Sequence, residues 1–171
     1  MSGRAPITER ALPPGTLLER YRGEGAYVDC LECHVQHVVS LEQLISAFYN
    51  SRAFRPERWL LGAFLGMPAN SADVAQLATG KMQRFSAWTV EARTGSEIML
   101  CDYQGRTRSW LMVDPTAAGT VLRFGSAVLP QRKRADDLLF KALTGFHRFY
   151  ARRLLASALV GLDDLGHVGQ D

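Results

Sequence analysis

The sequence predicts an α+β domain in which an antiparallel sheet packs against one long C-terminal helix. Three observations predict this class. Apolar residues alternate with a period of two over residues 26–39, as in a half-buried strand. Short segments separated by turn residues fill the middle of the chain, as in an antiparallel meander. Helical spacing then returns after residue 134, with one apolar face that must be buried against the sheet.

The composition is that of an ordinary globular protein. The chain has 171 residues, of which 47% are hydrophobic and 22% charged, with a formal net charge of +3 and three cysteines. Collagen-like, disordered and disulfide-rich classes are therefore excluded. The small, dispersed excess of base argues against nucleic acid as a partner. No stretch reaches the roughly 18 apolar residues of a membrane span, and the odd cysteine count without an export pattern favours the cytoplasm.

The length and patterning predict three regions. Residues 1–20 mix charged residues with Pro and Gly, which predicts a poorly ordered lead-in. Residues 21–159 form a single domain, and residues 160–171 form a loose tail rich in Gly and Asp. A chain of about 150 residues buries about 70% of its unfolded surface, so no metal or disulfide is needed for stability.

Short helices follow the first strand. Ser40 and Gln43 have the spacing of a capping box, which predicts a helix beginning after Ser40. Pro56 suits the first position of a second helix, and Ser71 suits the cap of a third.

The meander and the long helix complete the predicted domain. Its four segments span residues 84–93, 97–103, 106–114 and 120–129. Turns are predicted at Thr94-Gly95, at Gln104-Gly105 and within residues 115–119. Asp136 and Asp137 lie where the dipole of the last helix favours acids.

The order of these elements resembles the helix-grip superfamily, which includes START, polyketide-cyclase and birch-pollen-allergen proteins (SRPBCC). More narrowly, the sequence is similar to an uncharacterised bacterial branch of it. Three stretches carry the similarity, AFYNSRAFRPERWLLG (47–62), LATGKMQRFSAWTVEARTGSEIML (77–100) and FHRFYARRLLASAL (146–159). The resemblance covers residues 25–159 and implies a sheet that grips the C-terminal helix. It leaves function open, because the superfamily contains carriers, hydrolases, cyclases and proteins without known activity.

Turn positions set the strand register and thereby predict a binding surface. Folding at the three turns pairs Met99 with Val90 on one side and with Trp110 on the other, and pairs Trp110 with Phe124. The resulting inner face combines an apolar wall with a polar end, which is the usual form of a small-molecule site. The predicted ligand-binding residues are Trp88, Met99, Cys101, Tyr103, Arg108, Trp110, Phe124, Ser126, Phe146 and Tyr150.

Two questions stay open for this surface: the role of Arg108 and the role of its aromatic and methionine side chains. Arg108 offers its guanidinium to an anionic head group, or packs its stem on the tryptophans and pairs with a nearby acid, or extends to solvent. The aromatic and methionine side chains form either core alone or core with a cavity wall.

The run Cys30-Leu31-Glu32-Cys33-His34 matches the C-x-x-C-H pattern of haem attachment, and His37 adds a further candidate metal ligand. On a strand, however, Cys30 and Cys33 point to opposite faces. No second Cys/His pair completes a zinc site. We therefore expect no metal and no cofactor.

Three functions fit these observations. The favoured one is the binding of a small, largely apolar or amphipathic ligand between the sheet and the C-terminal helix. The second is an enzyme of the cyclase or hydrolase type, with Tyr103, Arg108 or His147 as proton carrier, or with a Cys101–His147 nucleophile pair. The third is a non-catalytic interaction protein with a closed core. A first strand at the sheet edge would also favour a homodimer.

Overall fold

A seven-stranded antiparallel sheet organises the computed structural model, which describes residues 6–51, 70–130 and 151–162. The strands are β1 (Thr8–Glu9), β2 (Tyr27–Val35), β3 (Arg84–Phe85), β4 (Trp88–Arg93), β5 (Glu97–Asp102), β6 (Thr107–Thr116) and β7 (Gly119–Val128). Their order in the sheet is β1-β2-β7-β6-β5-β4-β3. The helices are a 3-10 helix, η1 (Leu17–Glu24), then α1 (Leu41–Tyr49), α2 (Ser71–Ala78) and α3, the described C-terminal helix (151–162). The α+β class, the antiparallel sheet and a C-terminal helix are thus confirmed. The predicted helix at Pro56 lies outside the described residues.

Local sequence signals set the helix starts. Ser40 caps α1 as predicted: its hydroxyl accepts from the Gln43 amide N–H, and the Gln43 side chain accepts from the Ser40 N–H. The cap of α2 is Asn70 rather than Ser71, and Asp73 completes a capping box with it. An asparagine oxygen accepts as well as a serine hydroxyl, so the helix begins one residue earlier.

Both sides of the sheet are covered. On the helix-facing side, α1, α2 and α3 pack over residues such as Leu31, Leu111 and Phe124. On the opposite side, an N-terminal segment (residues 6–25) packs over Cys30, Met99 and Trp110 through buried side chains that include Leu12, Leu18 and Tyr21. The sheet is therefore the middle of three layers.

For residues 6–20, the N-terminal segment corrects the prediction of a poorly ordered lead-in over residues 1–20; residues 1–5 lie outside the described residues. Thr8 and Glu9 pair with Glu32 and Leu31, and Leu18 is fully buried. The apolar residues of this segment follow no period between their Pro and Gly neighbours, so the sequence pattern gave no signal of burial. Because β1 lies beyond β2, the first predicted strand is not the terminal strand of the sheet. At the other end, α3 runs to Leu162, past the predicted tail boundary at residue 160.

One of the three predicted strand registers is confirmed. Met99 pairs with Trp110, and Cys101 pairs with Arg108, as the turn at Gln104-Gly105 predicts. The β4–β5 register is wrong by one residue, because Val90 pairs with Leu100 instead of Met99. An irregularity between Val90 and Ala92 shifts the pairing further along the strand.

The β6–β7 register is also wrong by one residue. Trp110 pairs with Gly125, and Leu111 pairs with Phe124. The strands extend to Thr116 and Gly119, so the turn has only two residues between them. A slip of one residue moves every side chain to the other face. Trp110 and Phe124 therefore lie on opposite sides of the sheet.

Candidate functional site

The predicted binding residues do not share one face. Trp88 and Phe124 pack into the helix-facing core, whereas Met99 and Trp110 pack beneath the N-terminal segment. Of the polar residues, Ser126 shares the helix-facing side with Phe124, and Cys101 and Arg108 share the opposite side with Met99 and Trp110, while Tyr103 is exposed beyond the end of β5. Phe146, Tyr150 and His147 lie outside the described residues.

A row of polar residues crosses the helix-facing side of the sheet. Asp29 on β2 pairs with Ser126 on β7, and Ser126 pairs with Ser109 on β6. We call these three residues the polar row. Asp29 is 8% exposed and Ser126 is 1% exposed, although the next positions along the same side of β2 and β7, Leu31 and Phe124, belong to the apolar core.

The hydrogen bonds of Asp29 use one of its two carboxylate oxygens. Oδ1 accepts from the Ser126 amide N–H at 2.9 Å and from the Ser126 hydroxyl at 2.6 Å. In the described ranges, Oδ2 receives no hydrogen bond and no cation pairs with the carboxylate. Buried acids are ordinarily paired with a cation or fully hydrogen-bonded. Asp29 thus keeps an uncommitted acceptor on the side that the helices cover.

Further polar atoms belong to the same side of the sheet. The Tyr49 hydroxyl, from the end of α1, lies 3.5 Å from the Ser109 hydroxyl. The Trp88 indole N–H and the side-chain oxygen of Asn50, the residue that ends α1, are buried and have no hydrogen-bond partner among the described residues. A buried polar atom without a partner costs about 1–3 kcal/mol, and such atoms are uncommon.

Arg108 pairs with a nearby acid, as one of its predicted alternatives has it, but its guanidinium lies over Tyr21, and Trp88 is on the other side of the sheet. Its Nε donates to Glu91 at 2.9 Å and to the Tyr21 hydroxyl at 3.0 Å, and its guanidinium lies over the Tyr21 ring. Burial alone would raise the pKa of Glu91. Hydrogen bonds from Tyr21 and Arg108, together with the charges of Arg108 and Arg20, outweigh burial and hold that pKa below its usual value. Arg108 is thus committed to a local ion pair that fastens Tyr21 to the sheet.

A pocket of about 420 Å³ opens beside this ion pair, lined by Thr89, Glu91, Cys101, Asp102 and Tyr103 among others. Its acids are already hydrogen-bonded, because Glu91 binds Arg108 and Asp102 accepts two backbone N–H groups. Burial raises the pKa of the Cys101 thiol, with Arg108 opposing the effect. A thiol that stays protonated is a weak nucleophile, so the pocket offers less uncommitted chemistry than the polar row.

The strand interpretation of the cysteine motif is confirmed. Cys30 packs beneath the N-terminal segment, while Cys33 packs into the helix-facing core. Burial raises the pKa of Cys30 to about 11 and that of Cys33 to about 12. His34, beside Cys33, is exposed and contacts Glu32. Neither thiol is placed to act as a nucleophile or to share a ligand with the other.

The polar row contains a residue that sequence reasoning missed, although a signal for it was present. Asp29 has the same parity in the first strand as Leu31 and Cys33, so the period of two places it on the same side as these two residues. An acid at an inward-facing position of a strand is the signal that identifies it. Ser109 and Tyr49 carried no comparable signal, because their position depends on the β6–β7 register and on the packing of α1.

Comparison with known proteins finds no matching family model and no matching curated relative. Among the helices in the described ranges, none is long and apolar enough to cross a membrane. The geometry of the polar row is therefore the feature that bears on function.

Proposed function

We propose that this chain is a helix-grip domain that binds a small amphipathic molecule between the sheet and the C-terminal helix. The order of elements supports the fold assignment: a strand, helices, a meander that returns to pair with that strand, and a final helix. The packing of α3 residues into the core that α1 shares with β6 and β7 supports it further.

One observation carries the function: on the helix-facing side, the buried acid Asp29 keeps one carboxylate oxygen without a hydrogen bond from the described residues. The uncommitted atoms are Asp29 Oδ2 and, elsewhere on that side, Trp88 Nε1. Polar groups withdrawn from water need a hydrogen-bond partner. The polar end of an amphipathic ligand would supply that partner, and its apolar body would contact the surrounding core residues.

Native mass spectrometry of the freshly purified protein tests the proposal, supplemented by titration with alkyl amines, alcohols and carboxylates. Ser109→Leu places a bulky apolar side chain in the polar row and is expected to abolish binding. Thr89→Leu makes a similar change on the opposite side of the sheet and is the matched control. We expect an adduct of small-molecule mass, or a saturable titration, in the wild type and in Thr89→Leu. Absence of both in the wild type, or equal binding by the two variants, would overturn the proposal.

One contact favours the enzyme as a second candidate. The Ser126 hydroxyl donates to Asp29 at 2.6 Å, which places an acid within reach of a hydroxyl in the same site. Arg108, one of the expected proton carriers, is instead committed to Glu91. Chemical change of a bound ligand that stops in Ser126→Ala, with binding retained, would establish the enzyme in place of the carrier.

A further inference from the structure

We infer that the polar row selects ligands that carry a primary amine, and that Asp29 binds the ammonium group. This inference rests on the proposed function, because it names the class of ligand for the same site. Its starting point is a buried carboxylate that has hydrogen bonds on one oxygen and none, within the described part of the chain, on the other.

Three arginines of the sheet are bound to partners other than Asp29. Arg108 and Arg123 lie on the opposite side of the sheet and are bound to Glu91 and to Glu32, respectively. Arg93 donates both terminal nitrogens to carbonyl oxygens at the end of α2. None of these cations neutralises Asp29. A cationic ligand would therefore meet a carboxylate that the sheet arginines leave unpaired.

The number and kind of acceptors in the polar row suit an ammonium group. An ammonium group has three N–H donors and no acceptor. The row presents a carboxylate oxygen beside serine oxygens on the paired strands β7 and β6, whose directly opposed side chains start about 4.5–5.5 Å apart. One ammonium group spans such a set, whereas a hydroxyl donates one hydrogen bond and leaves the carboxylate without a counter-charge.

The negative charge of Asp29 also disfavours anionic ligands. A ligand with a carboxylate or phosphate head group would place a second negative charge against Asp29, which is only 8% exposed, and like charges repel strongly where little water screens them. The arrangement that favours amines thus disfavours fatty acids and phosphorylated amphiphiles, which gives the site a charge selectivity.

Isothermal titration of the full chain with dodecylamine, 1-dodecanol and dodecanoate tests the inference. A charge-assisted hydrogen bond to a shielded carboxylate is expected to favour the amine over the alcohol by about 10- to 100-fold. Asp29→Asn keeps an oxygen that accepts from Ser126 and removes the charge, so the preference for the amine is expected to disappear. Asp114→Asn is the control, because Asp114 pairs with Arg123 on the opposite side.

The outcomes separate this inference from the proposed function. Similar affinities of the wild type for amine and alcohol would overturn the amine inference and leave the proposed function standing. A preference for the amine that persists in Asp29→Asn would also overturn it. Failure of the wild type to bind any of the three would overturn the proposed function itself. If Asp29→Asn does not fold, the wild type is titrated with dodecyltrimethylammonium, a cation that has no N–H donor. We expect this cation to bind at least about 10-fold more weakly than dodecylamine, and equal affinities would overturn the amine inference.

Discussion

Glu97 fastens the N-terminal segment to the sheet, and we expect Glu97→Leu to be strongly destabilising. The side chain is 8% exposed, and Oε2 accepts from the Trp110 indole N–H at 2.7 Å and from the Leu17 backbone N–H at 2.9 Å. Leucine fills a similar volume and leaves both donors buried without an acceptor. Each such donor costs about 1–3 kcal/mol, so the free energy of unfolding is expected to fall by about 2–6 kcal/mol. Small domains have only about 5–15 kcal/mol in total.

Urea denaturation followed by circular dichroism measures this loss, because the midpoint and slope together give the free energy of unfolding. Glu97→Gln is the matched control, since its carbonyl oxygen still accepts from both donors. We expect Glu97→Gln to lose less stability than Glu97→Leu, because both donors keep an acceptor. It still loses some, because neutral hydrogen bonds are about half as strong as charge-assisted ones. The reasoning would be refuted if the free energy of unfolding of Glu97→Leu lay within about 1 kcal/mol of the wild-type value, because such a loss is smaller than the cost of even one unpaired donor. Equal losses in the two variants would refute it as well.

Three further predictions concern the sheet. Gly125→Ala is expected to destabilise the fold by about 1–3 kcal/mol in the same assay, because the added Cβ would lie 2.7 Å from a backbone oxygen; an unchanged midpoint would contradict this. At pH 8, a thiol reagent is expected to modify Cys101 slowly, and Cys30 and Cys33 only after denaturation; rapid modification of all three in the native protein would contradict the burial. The pKa of Glu91 is lower in the folded than in the unfolded state, so its stabilising effect is present above the unfolded pKa and is lost as pH falls through the folded pKa. The stability deficit of Glu91→Gln is therefore expected to be largest at neutral pH and to vanish in acid, and a constant deficit would exclude this linkage.

Local signals predicted most of the elements in the described ranges. The capping box at Ser40 and the turn at Gln104-Gly105 are recognisable because a few neighbouring residues determine them. The N-terminal segment was missed for the converse reason. Its side chains are buried by residues far along the chain, as the hydrogen bond from the Leu17 N–H to Glu97 illustrates. A periodic pattern in the local sequence does not indicate such long-range contacts.

The candidate site was only partly predictable, because it depends on strand register. The β6–β7 turn contains Ala117 and Ala118, which are not turn-forming residue types. Gly119 favoured a longer turn over residues 115–119, but it is the first residue of β7. A Cβ at Gly119 would collide with the carbonyl oxygen of Val35, so the glycine permits close approach of β2. The resulting error of one residue placed Trp110 on the wrong side of the sheet. Ser126 was retained as a site residue, but its partner Asp29 was not identified.

The most direct test of the account is an NMR titration of the isotopically labelled protein with a ligand found in the screen. If the helix-facing side is the binding site, the largest shift changes are expected at the backbone amides of Asp29, Ser109 and Ser126 and at the indole N–H of Trp88, which is buried without a partner. Changes confined to Thr89, Cys101 and Tyr103 would place the ligand in the pocket on the opposite side and contradict the account.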